Sequence, residues 1–254
     1  MAPVRSSRNP GVAEAIRLHR ARRRAETGRT LLEGPHLLEE AVRAGVSIQV
    51  VYFCEGDDTV VELAAGLDVD PILVTEAVMK KVAGTQQPRG PVAIMEIPSG
   101  RHTNDRSLMV TWGVGDPGNV GTLIRSATAF GLGFVAGPGT ADPWSPKVLR
   151  AGAGSHFRTT VERAPDLSVD VLRERGFSVV ASVVQGGDQP GRLAEVRLGA
   201  LLVGDEGAGL PDEVVAGADL RVSIPMPGHT ESLNAAVAGS LLAYEWMSRH
   251  PKSA

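Results

Sequence analysis

The sequence predicts an α/β protein of two domains, the second of which contains a doubly wound, mostly parallel sheet. Three observations lead to this prediction. Predicted strands alternate with predicted helices over residues 9–97. A polar stretch without periodicity, residues 98–106, then interrupts the pattern, and we interpret it as a linker. The alternation resumes, more clearly, over residues 107–254.

The first domain is predicted from its turn residues and apolar runs. Gly28 ends a helix whose outer faces are crowded with arginines. Pro35 suits the first turn of the next helix and Gly45 its end, while Thr75 suits an N-cap. The predicted helices are 12–25, 35–44, 60–65 and 75–82, and the predicted strands are 31–33, 48–53, 72–74 and 92–97.

The second domain is predicted in the same way. Asn119 and Ser232 are candidate N-caps for two of its helices, and Gly176 suits a helix C-terminus. The predicted strands are 108–112, 133–136, 157–161, 178–184, 200–203 and 221–224, and the predicted helices are 119–130, 145–151, 166–175 and 232–246.

The composition is that of a folded chain. Its 254 residues suit one large domain or two small ones, and 43% hydrophobic residues are enough for a packed core. No apolar run approaches the ~18–20 residues of a membrane helix, and the Arg-rich N-terminus lacks the apolar core of a secretory signal. The single cysteine, Cys54, excludes an internal disulfide and a cysteine-based zinc site. We expect a cytoplasmic protein without a metal.

The charge is unevenly distributed along the chain. Residues 1–30 contain eight arginines and two acidic residues, a net charge of +6, whereas the whole chain carries −3 and the remainder therefore −9. A local basic cluster on an acidic body is typical of one surface that faces a polyanion. A solvated basic helix explains the same count, and the charge alone does not decide between these two interpretations.

The first of three glycine-rich turns has the pattern of a dinucleotide-binding loop. Residues 113–118, Gly-Val-Gly-Asp-Pro-Gly, follow a predicted strand and match G-x-G-x-x-G, which favours a nicotinamide-dependent oxidoreductase. Pro117 stiffens the backbone where such a loop wraps a pyrophosphate. The next strand ends in residues 135–138, Val-Ala-Gly-Pro, without the acidic residue that binds a ribose hydroxyl. We therefore keep this function only as an alternative.

The other two turns also lead from a strand into a polar segment. Gly204, Glu206 and Gly209 follow a buried strand, where open α/β sheets place ligands. Ile224 and the segment around Ser232 precede the last predicted helix. Taken singly, each turn is typical of ordinary turn and cap chemistry.

The motifs taken together resemble those of a known family. They read, in order, Asn119-x-Gly121-x-x-x-Arg125, Gly204-x-Glu206-Gly207-x-Gly209, Ile224-Pro-Met226 and Ser232-Leu-Asn234-x-x-Val237-Ala238. This combination closely resembles the SpoU/TrmH family of RNA ribose 2′-O-methyltransferases, in the SPOUT superfamily. The resemblance covers residues 107–250 and extends to the first domain through Leu31–Ala41 and Gln87–Ala93.

The resemblance implies a deep trefoil knot in the second domain and a pocket for S-adenosylmethionine. The positions that match the cofactor contacts of the family are Gly204, Ile224 and Leu233, with Met226 packed nearby and Ala181 and Ser182 flanking the adenosine. Family members are homodimers, and the apolar surface of the last helix suits either a dimer contact or core packing. The implied domains are 1–97 for RNA binding, 98–106 as linker and 107–254 for catalysis.

The resemblance also assigns the polar positions. Arg125 matches the catalytic arginine, acting either as a base or by stabilising the developing alkoxide, and the second role suits a guanidinium better. Asn119 and Ser232 would orient the ribose or Arg125, and a role mainly as a helix cap stays open for Asn119. Glu206 would accept hydrogen bonds from Arg125 or from the substrate, and Asn234 would order its turn. Asp205 and Ala236 depart from residues common in relatives, which leaves the fine structure of the pocket in doubt.

We expect rRNA, most simply 23S rRNA, as the substrate and tRNA as the second choice. The arginines expected to contact RNA are Arg17, Arg20, Arg22, Arg23, Arg24 and Arg29. A non-catalytic RNA-binding protein that keeps the knot is a further alternative, although the intact polar positions speak against it.

Overall fold

The computed structural model describes residues 2–56, 69, 71–88, 90–100, 105–228 and 230–250. The chain divides into two compact units, Met1–Ser99 with Trp144–Phe157, and Gly100–Pro143 with Arg158–Ala254. This division differs from the predicted domain limits because Trp144–Phe157 packs with the first unit. The predicted helix 60–65 and residues 101–104 of the predicted linker lie outside the described residues.

The described elements follow the predicted alternation closely. The strands are β1 Arg29–Glu33, β2 Ile48–Phe53, β3 Ile72–Leu73, β4 Val92–Glu96, β5 Leu108–Trp112, β6 Gly133–Ala136, β7 Val161–Arg163, β8 Ser178–Ser182, β9 Gly199–Gly204 and β10 Leu220–Val222. The α-helices are α1 Pro10–Arg17, α2 Ala21–Thr27, α3 Pro35–Arg43, α4 Glu76–Ala83, α5 Pro117–Ala129, α6 Pro146–Gly152, α7 Val169–Glu174, α8 Asp212–Ala216 and α9 Ala235–Arg249.

The first unit contains a four-stranded mixed sheet in the order β1-β4-β2-β3. Strand β4 is antiparallel to both β1 and β2, whereas β2 and β3 are parallel. Val12 of α1 and Val82 of α4 are fully buried in the same core as Leu31 and Tyr52, and Ile16 of α1 packs against this core partly buried. Each of the two helices therefore buries the apolar face that its amphipathic pattern predicts.

The predicted helix 12–25 is wrong, because the structure has two helices there. Leu18 is fully buried and ends α1, and α2 begins at Ala21. The guanidinium of Arg24 explains the break. Its Nη1 donates to the carbonyl oxygens of Leu18 at 2.8 Å and of His19 at 2.9 Å, at the end of α1. These hydrogen bonds satisfy carbonyl groups that a continuing helix would have used.

Segment Trp144–Phe157 is held in the first unit by polar contacts. Thr30 Oγ1 donates to the carbonyl oxygen of Trp144 at 2.6 Å. Arg150 on α6 forms an ion pair with the buried Glu33 at the end of β1. The predicted helix 145–151 is present as α6, with Ser145 as its N-cap. The predicted strand 157–161 is wrong, since Ser155–Phe157 forms a 3₁₀ turn and the strand is Val161–Arg163.

The second unit contains a six-stranded sheet in the order β10-β8-β9-β5-β6-β7. Every neighbouring pair of strands is parallel, which confirms the predicted parallel sheet. The central strands are almost entirely buried, as expected for a sheet covered on both faces. Because all six strands run the same way, their carboxyl ends meet at one edge of the sheet. Among the described residues, no helix is long and apolar enough to cross a membrane.

Two of the predicted helix caps in this unit are wrong. Helix α5 begins at Pro117, and its N-cap is Asp116, which accepts a hydrogen bond from the Asn119 backbone N–H at 2.8 Å. Helix α9 begins at Ala235, and its N-cap is Asn234 rather than Ser232. Asp116, a carboxylate directly before a proline, is a stronger helix start than Asn119, which lies three residues after it. The side chain of Asn119 is therefore left for another contact.

Candidate active site

A cavity with a water-accessible volume of about 80 Å³ opens at the carboxyl ends of β8, β9 and β10. Its position is where open parallel sheets bind ligands. Between β10 and α9, the residues Ile224, Met226, Ser232 and Leu233 line it, together with the first turns of α9. The lining residues are Ser182, Val183, Val184, Val203, Gly204, Asp205, Glu206, Gly209, Val222, Ile224, Met226, Ser232, Leu233, Ala235, Ala238 and Leu242.

Five of the six positions expected to contact a cofactor line this cavity: Ser182, Gly204, Ile224, Met226 and Leu233. The sixth, Ala181, does not line it and is fully buried in the core of the sheet. In the described part of the chain, the backbone N–H groups of Ile224, Met226 and Leu233 donate to no protein acceptor. The cavity thus combines apolar walls with backbone donors that are available to a ligand.

The loop after β9 is a tight turn that closes back on the strand. A Cβ atom on Gly204 would lie 2.4 Å from the backbone carbon of Gly209, so only glycine fits at this close approach. Asp205 holds the turn, since its Oδ2 accepts from the backbone N–H groups of Gly207 at 3.0 Å and Ala208 at 3.3 Å. These hydrogen bonds, first that from Gly207, hold the pKa of Asp205 below its ordinary value.

The turn presents Glu206 to three donors from two helices. Its Oε1 accepts from Asn119 Nδ2 at 2.7 Å, from Asn234 Nδ2, and from the Ala235 backbone N–H at 3.3 Å. Asn234 Nδ2 also lies 3.1 Å from Asn119 Oδ1, which it can reach as a donor. The structure therefore brings Asn119, Glu206 and Asn234 together, and we call these three residues the Glu206 network. Residues from all three sequence motifs meet beside the cavity.

The two remaining catalytic candidates are placed differently. Ser232 lines the cavity. Arg125 lies on α5, the helix that carries Asn119, and is exposed. Its guanidinium forms no ion pair or hydrogen bond with any residue that the structure describes, and it does not line the cavity. A charged side chain with no internal partner is available to a ligand from outside.

Sequence reasoning missed several lining residues. Val183, Val203 and Val222 lie within predicted strands and, in the structure, at or next to the carboxyl ends of β8, β9 and β10. The rule that ligands bind at the carboxyl ends of parallel strands could have found them. Ala238 and Leu242 lie one and two turns into α9, and no sequence signal distinguished them from core residues. Over the described ranges, no group of three or more metal-binding side chains is present.

Several of the arginines expected to contact RNA form ion pairs within the first unit. Glu14, with 17% of its side chain exposed, accepts from Arg23 at 2.7 Å and from Arg29 at 3.3 Å, and Arg17 lies 3.8 Å away. The hydrogen bond to Glu14 raises the pKa of Arg23. Arg22 pairs with Glu26 but keeps 91% of its side chain exposed.

Arg24 does not fit the expected role in RNA binding. Only 3% of the residue is exposed, and its guanidinium donates to the carbonyl groups at the end of α1. Arg20, in contrast, is exposed and pairs with no acidic group among the described residues. The cationic surface of the first unit is therefore smaller than the sequence count suggests, and Arg20 and Arg22 are exposed members of it.

Comparison with known protein families identifies the class. The model of the SpoU rRNA methylase family matches residues 107–244, and that of the MRM3-like substrate binding domain matches residues 9–93. The chain belongs to the SpoU rRNA methylase family.

Individual relatives match over nearly the whole chain. The 23S rRNA (guanosine(2553)-2′-O)-methyltransferase RlmP of Bacillus subtilis is 33% identical over 246 residues, 96% of this chain and 98% of that protein. The AdoMet-bound rRNA methyltransferase from Sinorhizobium meliloti is 28% identical, with a TM-score of 0.84 over 99% of both chains. The SpoU methyltransferase AviRb from Streptomyces viridochromogenes, in complex with AdoMet, is 26% identical, with a TM-score of 0.83 over 95% of this chain and 99% of that one.

Proposed function

We propose that this protein is an S-adenosylmethionine-dependent methyltransferase that methylates a ribose 2′-OH in 23S rRNA. The observation that carries the proposal is the Glu206 network at the edge of the cavity, in which residues from three family motifs meet. The matched relatives support it, since RlmP is named for this reaction and is similar over 96% of the chain.

The cavity fits the cofactor. S-adenosylmethionine supplies an electrophilic methyl group on a positively charged sulfur. Its adenine has an apolar face, which Ile224, Leu233 and Leu242 can cover, and polar edges, which the available backbone groups of Ile224 and Leu233 can bind. The carboxylates of Asp205 and Glu206 are the acidic groups that line the cavity, and they favour a cationic ligand.

The polar residues act on the substrate. A ribose hydroxyl is a weak nucleophile until its proton is lost or its oxyanion is stabilised. Arg125 is a permanent cation, so we assign it to the adjacent phosphate and to the developing alkoxide rather than to proton removal. Glu206 holds Asn119 and Asn234 in fixed positions, and Asn119 and Ser232 orient the ribose. Pre-positioned donors cost little reorganisation during the reaction.

The first unit binds the RNA. Arg17, Arg20, Arg22, Arg23 and Arg29 contact phosphates, which gives affinity without sequence selection. The two family matches, to residues 9–93 and 107–244, support a division into an RNA-binding part at 1–97 and a catalytic part at 107–254, with Trp144–Phe157 of the second part packing in the first unit. tRNA is the second candidate substrate, because a relative from Synechocystis that is 31% identical over 96% of this chain is named as a tRNA/rRNA methyltransferase.

We also propose that the protein is a homodimer that works in the cytoplasm. Val237, Leu241 and Tyr244 recur on one face of α9 and are 47%, 47% and 54% exposed. An apolar helix stripe with this exposure suits a contact with a second copy of the chain. Light scattering of the purified protein tests this proposal, and Leu241→Lys should give monomers. The trefoil knot implied by the resemblance stays a prediction.

The reaction is tested by incubating the protein with methyl-labelled S-adenosylmethionine and either 23S rRNA or tRNA, then mapping 2′-O-methyl groups. We expect one modified nucleotide in 23S rRNA and none in tRNA. Calorimetry with NADH tests the oxidoreductase alternative, for which we expect no binding. A protein that binds S-adenosylmethionine and RNA but methylates neither substrate would be the non-catalytic alternative.

A further inference from the structure

The first unit contains a cavity of its own, with a water-accessible volume of about 300 Å³, that no predicted site residue lines. It lies where β2 ends, beside α4 and the loop that follows α4. Its lining residues are Cys54, Glu76, Met79, Lys80, Gln86, Gln87, Pro88 and Gly90. All of them lie within the described part of the chain.

The chemistry of this lining matches a nucleobase. Met79, only 3% exposed, and Pro88 provide apolar surface against which a flat ring can pack. Gln86 and Gln87 each carry an amide that can donate and accept, and the Glu76 carboxylate accepts from amino groups. Bases are recognised through one apolar face and a mixed donor and acceptor edge.

Lys80 is the cation of the lining, beside one carboxylate, that of Glu76. Lys80 forms no ion pair within the described ranges. The N-terminal segment with Arg5 and Arg8 contacts another face of α4, because Lys81 Nζ lies 3.3 Å from Ser7 Oγ and consecutive helical residues point in different directions. A cation in the lining favours a nucleotide that carries its phosphates over a free base.

We propose that this cavity holds the base of one unpaired nucleotide of the RNA substrate. Gln86, Gln87 and Glu76 bind the edge of the base, and Lys80 binds a neighbouring phosphate. The site rests on the proposed function, since it takes the substrate to be RNA. It gives the first unit a base-selective contact in addition to the arginines, which bind phosphate without regard to sequence.

Cys54 allows a direct test, because it lines the cavity and is the only cysteine of the chain. We expect a 23S rRNA transcript to slow the reaction of Cys54 with a maleimide several-fold. Inorganic polyphosphate, which carries charge but no bases, should leave the rate unchanged. The proposal is overturned if the transcript gives no protection, or if polyphosphate protects equally well.

A kinetic test uses the triple variant Lys80→Ala, Gln86→Ala, Gln87→Ala. Its KM for 23S rRNA should rise about tenfold, which is the size of one lost base contact, with kcat and cofactor affinity unchanged. Lys147→Ala, which removes an exposed lysine of the first unit outside the cavity, should behave as the parent. An unchanged KM in the triple variant contradicts the proposal. If the parent methylates no RNA, the proposed function fails, and Cys54 protection alone decides whether the cavity binds a nucleotide.

Discussion

Glu14 in the first unit and Glu206 in the second are each surrounded by side chains that the sequence predicts as functional, but the charges around them differ. Glu206 is exposed and accepts hydrogen bonds from neutral amide groups, so its charge stays available to the cavity beside it. Glu14 is largely buried, and the guanidinium groups of Arg17, Arg23 and Arg29 surround it. These three cations share one carboxylate, which neutralises part of their charge. The polar cluster at the end of the sheet therefore keeps a carboxylate at the cavity, whereas part of the basic cluster is neutralised by a contact within the first unit.

Among the variants that test this contrast, Arg125→Ala is expected to have the largest effect. Its guanidinium has no internal partner among the described residues, so its removal should cost transition-state stabilisation without affecting the fold. We expect kcat for RNA methylation to fall by about 10²–10³, with unchanged affinity for S-adenosylmethionine. Arg163→Ala, another exposed arginine of the second unit, is the control and should retain activity. Comparable turnover in the two variants would refute the role assigned to Arg125.

The next effect is expected for Glu206→Gln. The amide keeps one acceptor oxygen but loses the charge, which weakens three hydrogen bonds and frees Asn119 and Asn234 from fixed positions. We expect kcat/KM to fall by roughly tenfold to a hundredfold, by analogy with losses measured for positioning groups. Glu213→Gln, on the exposed helix α8, serves as the control. Equal activity in the two variants would show that the Glu206 network only shapes the turn.

A third prediction separates the structural arginine from the accessible ones. Arg24→Ala leaves the carbonyl groups of Leu18 and His19 without a donor and should lower the free energy of unfolding by about 2 kcal/mol. Arg20→Ala with Arg22→Ala should leave the melting temperature almost unchanged, since exposed charges contribute little to stability. The double variant should instead reduce the slope of log Kd for RNA against log salt concentration, by about one unit per lost phosphate contact.

Calorimetric melting and filter binding over a salt series measure both effects. If Arg24→Ala melts like the parent, the assignment of Arg24 to the end of α1 is wrong. If the double variant keeps the full salt slope, the helix is simply solvated.

The two regions also show what sequence can and cannot predict. The parallel sheet and its elements follow from apolar runs bounded by glycine and proline, and these signals are local. The contact between Asn119 and Glu206 joins positions 87 residues apart, and the motifs did not predict it, since Arg125 or the substrate was the expected donor to Glu206. The break between α1 and α2 was invisible, because it depends on Arg24 folding back onto carbonyl groups rather than pointing to solvent. The packing of α6 with the first unit was equally hidden, since it rests on the partners Thr30 and Glu33, which lie more than 100 residues earlier in the chain.

The smallest expected effect concerns Asp205, where the turn that presents Glu206 depends on a carboxylate. The backbone N–H groups of Gly207 and Ala208 hold its pKa in the folded protein below the ordinary value. The stabilisation is therefore complete above the ordinary pKa of aspartate and is lost as the pH falls towards the lower folded value. Asp205→Asn keeps an acceptor oxygen for both N–H groups but does not titrate.

The melting temperatures of the parent and of Asp205→Asn should thus differ slightly at neutral pH and converge as acid protonates Asp205. The carboxylate of Asp205 lines the cavity, so the same variant should also weaken binding of a cationic ligand modestly. Titration of S-adenosylmethionine against its neutral analogue S-adenosylhomocysteine separates these two contributions. If the variant binds both ligands less well by the same factor, Asp205 acts through the turn alone. If only the sulfonium compound is affected, its charge reaches the ligand directly.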